Sequence, residues 1–294
     1  MLMQTRTKPA DTSWGFDDAA GERAIVAAAG LRDLLARHAA DGDVRRYPSE
    51  EVIRALDEAR LWDLAVPKRL GGQGLSATAL TRVGIELAKG DPSVGWVSQI
   101  INGTTWVTSL ASDELQDELF ANGVPRIAGA FNPPGTAIPV DGGYRVTGAW
   151  PYASGIRHAD WGQWGLKIVQ PDGTEQFGNF CYIPAADLRI ENSWHVTGLQ
   201  GTGSDTAIVT DLFVPEHRVV HAARSFNYVE PGKRNHGAPS DYFAQMAFVH
   251  RTMTGTPLGA AEALLETVSS AATAKPLVGT IFARQSDSQV VAKE

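Results

Sequence analysis

From about residue 20 to residue 122 the apolar positions recur three and four apart, the spacing that puts them on one face of a helix. The Ala-rich run "AAGERAIVAAAGLRDLLARHAAD" carries this period throughout. The next run, "SEEVIRALDEARLWDLAVP", opens on Ser49 followed by acidic residues, an N-terminal capping signature, and is expected to close at Pro67. A Gly-rich turn, "KRLGGQGLS", leads into a stretch that predicts three further helices, broken at Gly90-Asp91-Pro92 and around Ser109 to Ser112.

At Val124-Pro125 the texture changes. As far as about residue 220 the apolar segments are short and rich in Val, Ile, Tyr, Phe and Trp, and turn signals such as Asp141-Gly142-Gly143 and Pro171-Asp172-Gly173 fall at strand-like intervals. No helical run intervenes, so a central antiparallel barrel or sandwich is expected. A polar connector, "NYVEPGKRNHGAPSD", precedes a return of helical periodicity from about Phe243 to Ala274, with Pro257 implying a kink or a late start. The last segment, "RQSDSQVVAKE", reads as the opening turns of another helix. The expected architecture is α+β and multidomain: an N-terminal all-helical domain (20–123), a central β-domain (124–222), and an incomplete C-terminal helical bundle (238–294), apparently truncated.

Composition narrows the classes of function. The chain has 294 residues, 43% hydrophobic and 20% charged, as expected of a globular protein. Its formal net charge is −7 and its basic residues form no run, which disfavours nucleic acid as a partner. No apolar stretch is long enough to span a bilayer and the N-terminus lacks a signal-peptide core, so a cytoplasmic location is expected. Cys181 is the only cysteine, which excludes an internal disulfide; its apolar strand context points to a buried thiol.

Several motif-like features carry little. "GLQGTGSD" lacks the spacing of a dinucleotide-binding turn and lies among strands. His217 and His221 are four apart, but they follow a strand and no third ligand is suggested, so no metal site is expected. His158, His195 and His250 are isolated, and no G-x-S-x-G nucleophile turn occurs. The stretch "DGGYRVTGAWPYASGIRHADWGQWG" (141–165) is more specific. Trp150, Tyr152 and Ser154 fall on alternate positions before Gly155, a pattern that would let a flat ligand lie on an aromatic face with a hydroxyl and a glycine at its edge. A core strand with a buried Trp fits the same spacing, and both readings stay open at this point.

The order of helices, then "AGAFNPPGTAIPVDGGYRVTGAWPYASG", then "WHVTGLQGTGSDTAIVTDLFVPEHR", then helices again resembles the acyl-CoA dehydrogenase fold superfamily. Within it the sequence is most similar to the two-component, reduced-flavin-dependent monooxygenases. That resemblance implies reduced FMN or FAD delivered by a separate flavin reductase, dioxygen as co-substrate, and a small aromatic or cyclic organic substrate. It implies Ser154 as the catalytic group beside the flavin. It places Asn132, Trp150, Tyr152 and Gly155 with Ser154 in the cofactor site, and Trp96 and Asn102 toward substrate. Thr202 and Ser204 match a Gly-Thr-Gly-Ser turn of the monooxygenase branch, with a role in shaping the β-domain. The loop "FNPPGTA" lacks the two acids that dehydrogenases carry there, which speaks against an ordinary acyl-CoA dehydrogenase; an FAD oxidoreductase of that kind and a non-catalytic relative are the alternatives. The resemblance further implies a homodimer or homotetramer when complete, with a catalytic His or Glu contributed by the C-terminal bundle.

Overall fold

The computed structural model describes residues 18–221, 241 and 245–289. Six helices come first: α1 (Asp18–Gly30), α2 (Arg32–Arg45), α3 (Glu50–Glu58), α4 (Ala77–Gly90), α5 (Pro92–Thr108) and α6 (Asp113–Leu119). The cap read from the sequence at Ser49 forms, its side chain accepting from the Val52 N–H, and three further polar side chains cap helices in the same way: Ser76 accepts from Ala79, Asp91 from Ser93 and Ser112 from Leu115. The expected helix from Ser49 to Pro67, however, stops at Glu58. Arg60 turns to positive φ, and Leu61 to Val66 run as a buried irregular segment. The reason is a side chain 38 residues away: Asn102 accepts from the Leu64 N–H and donates to the Leu61 carbonyl, replacing the helical bonds these groups would have made.

Seven strands follow: β1 (Ile127–Val140), β2 (Gly143–Trp150), β3 (Trp161–Val169), β4 (Glu175–Pro184), β5 (Arg189–Glu191), β6 (Thr206–Pro215) and β7 (Val219–His221). They form one sheet in the order β5-β6-β2-β1-β3-β4-β7. The sheet is mixed, whereas the sequence predicted antiparallel pairing throughout: β1 and β3 run parallel. The cause is the connection after β2. Residues 151–160 cross the N-terminal end of β1 and return the chain on its other side, with Asp160 and Arg126 exchanging backbone and carboxylate bonds at the crossing.

Two further helices, α7 (Gln245–Met253) and α8 (Gly255–Ala274), pack back on the first layer. A Cβ on Gly255 or Gly259 would come within 2.5 Å of the Thr81 carbonyl or 2.2 Å of the Ile85 carbonyl, so α8 meets α4 backbone to backbone. On α8, Leu258 and, farther along, Leu264, Leu265 and Val268 are exposed. The polar connector as far as residue 240 and the expected helix start at Phe243 lie outside the described residues, as do residues 290–294. Among the described residues after Lys275, the expected opening helix is a single 3-10 turn, Gln285–Asp287.

Candidate functional site

Helix α5 is buried on nearly all sides and lies between the other helices and the sheet. Its Trp106 packs on Phe248 with ring centroids 4.1 Å apart, while Thr105 receives the Ile127 N–H at the start of β1. Thr108 bonds the buried Tyr182 phenol, which also accepts from Gln163 at 2.8 Å and which burial pushes far up in pKa. The sheet is thereby fastened to α5, and the candidate site sits at one end of this contact.

β2 ends at Trp150. Its indole is fully buried, stacked on Trp164 at 5.1 Å, and donates to the Gly165 carbonyl at 2.9 Å. The expected aromatic strand face therefore does not exist: Trp150 belongs to the core, and residues 151–155 form a turn. Pro151 cannot donate to the ladder and Tyr152 adopts φ +62°, which takes the chain out of the sheet. Tyr152 is left 66% exposed, edge-on to Trp194 at 5.8 Å. Gly155, at φ +77°, does require glycine, but not for a ligand: a Cβ there would stand 2.8 Å from Val97 and 3.2 Å from Ile101 of α5.

Ser154, 5% exposed, lies at the centre of a hydrogen-bonded chain. Trp96 on α5 donates its indole N–H to Ser154 Oγ at 3.1 Å; Ser154 meets Ser204 at 2.7 Å, Ser204 meets Thr202 at 2.6 Å, and Thr202 donates to the Leu199 carbonyl at 2.9 Å. The same carbonyl accepts from the Trp194 indole at 3.0 Å. Sequence reading singled out Ser154, Trp96, Thr202 and Ser204 separately, and the fold brings them together.

Asp205, next in the chain, went unnoticed in the sequence. Its carboxylate is wholly buried and accepts from Arg157 at 2.6 Å and from the Ser193 and Trp194 backbone N–H groups at 3.0 and 3.1 Å. Arg157 also covers the Tyr47 ring at 5.0 Å. His158 donates from Nε2 to the Pro48 carbonyl at 3.1 Å; burial lowers its pKa, outweighing the opposite pull of Glu50 and of this bond. These contacts dock the α2–α3 loop, the turn after β2 and the 193–205 loop on one another.

Asn132 lies in an exposed bulge of β1, where pairing with β3 breaks between Ala130 and Gly135. The antiparallel register of β1 on β2, Thr136 opposite Thr147, brings this bulge alongside Trp150, whose ring a Cβ on Gly135 would meet at 2.5 Å. Asn102 is not at the site. It is fully buried and its amide is spent on Leu61, Leu64 and Ser98, so the expected substrate role is replaced by a structural one. His217 bonds Glu118 and His221 bonds Asn179; among the described residues no group of three metal-ligating side chains occurs. The Cys181 thiol is buried, and that burial pushes its pKa up. A separate cleft of about 370 Å³, lined by Asp57, Arg60, Trp62, Asp63 and Arg126 among others, shares no residue with the cluster. No helix among the described residues is long and apolar enough to cross a membrane.

The helix–sheet–helix order and this arrangement of the sheet define a protein of the acyl-CoA dehydrogenase fold, and residues 25–122 match the family described as acyl-CoA dehydrogenase, N-terminal domain. The family match covers the N-terminal helices, and over a longer stretch the chain is similar to flavin-dependent monooxygenases. It is 35% identical over 217 residues to the flavin-dependent monooxygenase, oxygenase subunit HsaA, of Rhodococcus jostii, covering 74% of this chain and 56% of that protein. It is 32% identical over 214 residues to the FADH(2)-dependent resorcinol hydroxylase, oxygenase component, of a Rhizobium species, covering 72% and 52%. The solved structure of XiaF from a Streptomyces species in complex with FADH2 and glycerol superposes with a TM-score of 0.88 at 28% identity, covering 94% of this chain and 70% of that one. The chain thus spans somewhat over half the length of these curated relatives.

Proposed function

We propose that this protein is the oxygenase component of a flavin-dependent monooxygenase acting on a small aromatic or cyclic substrate. The observation that carries the reading is the surface around Ser154: an exposed Tyr152 ring, half-buried Trp194 and Trp96 rings, and a hydroxyl held among them. This donor set fits a flavin. Aromatic surfaces suit an isoalloxazine, the Ser154 hydroxyl keeps one hydrogen-bonding position for its polar edge, and the exposed Asn132 amide in the β1 bulge offers both donor and acceptor.

Reduced FMN or FAD, when bound, supplies the electrons that activate dioxygen for transfer of one oxygen atom to substrate. The chain's own part is positioning and exclusion of water. Tyr152 and Trp194 would contact the flavin ring, Ser154 and Asn132 would orient its polar atoms, and Trp96 would close the α5 side, where its remaining exposed surface can contact substrate. The relatives are named as an oxygenase subunit and an oxygenase component, which supports a separate reductase as the source of reduced flavin. The exposed leucines of α8 support burial in a homodimer or homotetramer.

Anaerobic titration of the full-length protein with reduced FMN and reduced FAD tests the reading. Saturable binding that weakens in Tyr152→Ala and Asn132→Ala, both exposed positions where folding is little affected, is expected. Absence of saturable binding by the wild-type protein to either flavin overturns it.

A further inference from the structure

The hydroxyl chain at the site has a direction, fixed at both ends by groups that cannot reverse. The Trp96 indole nitrogen can only donate, and the Leu199 carbonyl can only accept. Between them stand three hydroxyls, each with a single proton, and three oxygen–oxygen contacts to fill: Ser154 to Ser204, Ser204 to Thr202, and Thr202 to Leu199. All three are filled in one arrangement alone: Thr202 donates to Leu199, hence Ser204 donates to Thr202, and hence Ser154 donates to Ser204. Ser204 and Thr202 are 3% and 1% exposed, so water is not at hand to take over any of these bonds.

From this we infer that Ser204 and Thr202 are positioning residues that turn the Ser154 proton away from the ligand and leave its oxygen as an acceptor. The inference rests on the flavin reading above. Its consequence follows from the chemistry of the ring. Reduced isoalloxazine carries an N–H at ring nitrogens that are bare acceptors in the oxidised form. A donor edge is received by Ser154 with the whole chain intact. An acceptor edge requires the Ser154 proton to turn outward, and one bond of the chain is then lost: Ser154–Ser204 if Ser154 turns alone, or Thr202–Leu199 if all three protons reverse. One hydrogen bond corresponds to roughly a two- to tenfold difference in affinity. Thr202 and Ser204 thereby contribute to a preference for reduced over oxidised flavin without touching either.

The test is the ratio of dissociation constants for oxidised and reduced flavin, measured for the full-length protein by aerobic and anaerobic titration with FMN and FAD. In Ser204→Ala the Ser154 proton has no inward acceptor; in Thr202→Val the Ser204 proton has none. In both, reversal costs nothing, and the oxidised-to-reduced ratio is expected to fall roughly two- to tenfold from the wild-type value. The midpoint potential of the bound flavin should drop accordingly, by about 30 mV for a tenfold change in this two-electron couple. Ser204→Thr keeps the hydroxyl and should restore the ratio. A merely structural role would weaken binding of both forms alike and leave the ratio unmoved. Binding of both redox forms with an unchanged ratio in both variants overturns the directional chain while leaving the flavin site standing. Failure of the wild-type protein to bind either form overturns the flavin reading and this inference with it.

Discussion

Arg157 places two nitrogens at 2.6 Å from one carboxylate oxygen of Asp205, and the other oxygen receives the Ser193 and Trp194 backbone N–H groups. One buried side chain therefore sets the distance between the turn that carries Ser154 and the loop that carries Trp194. Removing one partner of a fully buried ion pair costs about 3–5 kcal/mol; here the Arg157 side chain keeps 27% exposure and can be partly solvated. Asp205→Ala is expected to cost about 2–4 kcal/mol by chemical denaturation and to weaken flavin binding by more than Arg157→Ala does, because it also orphans two backbone N–H groups. Equal effects of the two substitutions would show that the two backbone N–H bonds add nothing beyond the ion pair.

Asn102 makes a contrasting prediction, since it serves the fold alone. Asn102→Ala leaves the buried Leu61 carbonyl and Leu64 N–H without partners, and each unsatisfied backbone group costs about 1–3 kcal/mol. Asn102→Asp preserves the acceptor for Leu64 but sets a buried carboxylate oxygen against the Leu61 and Ser98 carbonyls, and should be at least as destabilised as Ala in denaturant midpoint at neutral pH. Flavin affinity of whatever folded protein remains should be unchanged in both. A selective loss of substrate binding in Asn102→Asp would instead restore it to the site.

What the sequence made legible was the order of elements, and the reason is periodicity. The cap at Ser49 and the breaks at Gly90-Asp91-Pro92 and Ser109 to Ser112 are local signals, and so is the shift from helical to strand spacing at Val124. Trp150-Pro-Tyr152-Ala-Ser154 misled because alternate aromatics mimic a strand, although Pro151 and Gly155 bracket a turn. The partners of Ser154 were invisible: Trp96 lies 58 residues before it and Ser204 50 residues after, and no local pattern says that they meet. Asp205 had one readable cue, a carboxylate directly before an apolar strand, which must be paired if buried. Asn102 had none, since an Asn in an apolar helix looks the same whether it faces a substrate or a neighbouring backbone.

Gly155 and Val97 make the packing at the turn testable through their coupling. Gly155→Ala forces a residue with a side chain to φ +77° and sets its Cβ 2.8 Å from Val97 Cγ1. Strain of about 1–3 kcal/mol is expected in thermal or denaturant melts. Val97→Ala removes the obstructing methyl groups and by itself leaves a small cavity. In the double variant the clash is relieved but the positive φ is not, so the combined loss should be smaller than the sum of the two single losses. Strict additivity would mean that the turn moves away from α5 instead of being held against it.

The last prediction concerns acid. Glu118 at the end of α6 accepts from Arg218 Nε at 2.9 and 3.1 Å and from His217 at 2.9 Å, fastening this helix to the segment that follows β6. The Arg218 bonds foremost, then His217, hold its carboxyl below the ordinary value of 4.5. A carboxyl whose folded pKa lies below its unfolded one binds its proton more readily in the unfolded chain. Its contribution to stability is therefore complete above about pH 4.5 and is lost as the pH falls through the folded value. The carboxylate is partly exposed, so the gain is screened and modest. Glu118→Gln, which keeps the shape and removes the charge, should be less stable than wild type at neutral pH, with the gap closing as the pH is lowered below 4.5. Denaturant melts of both proteins across that range measure the gap directly. A gap that stays constant down to low pH would mean that the Glu118–Arg218 bonds hold the helix by shape rather than by charge.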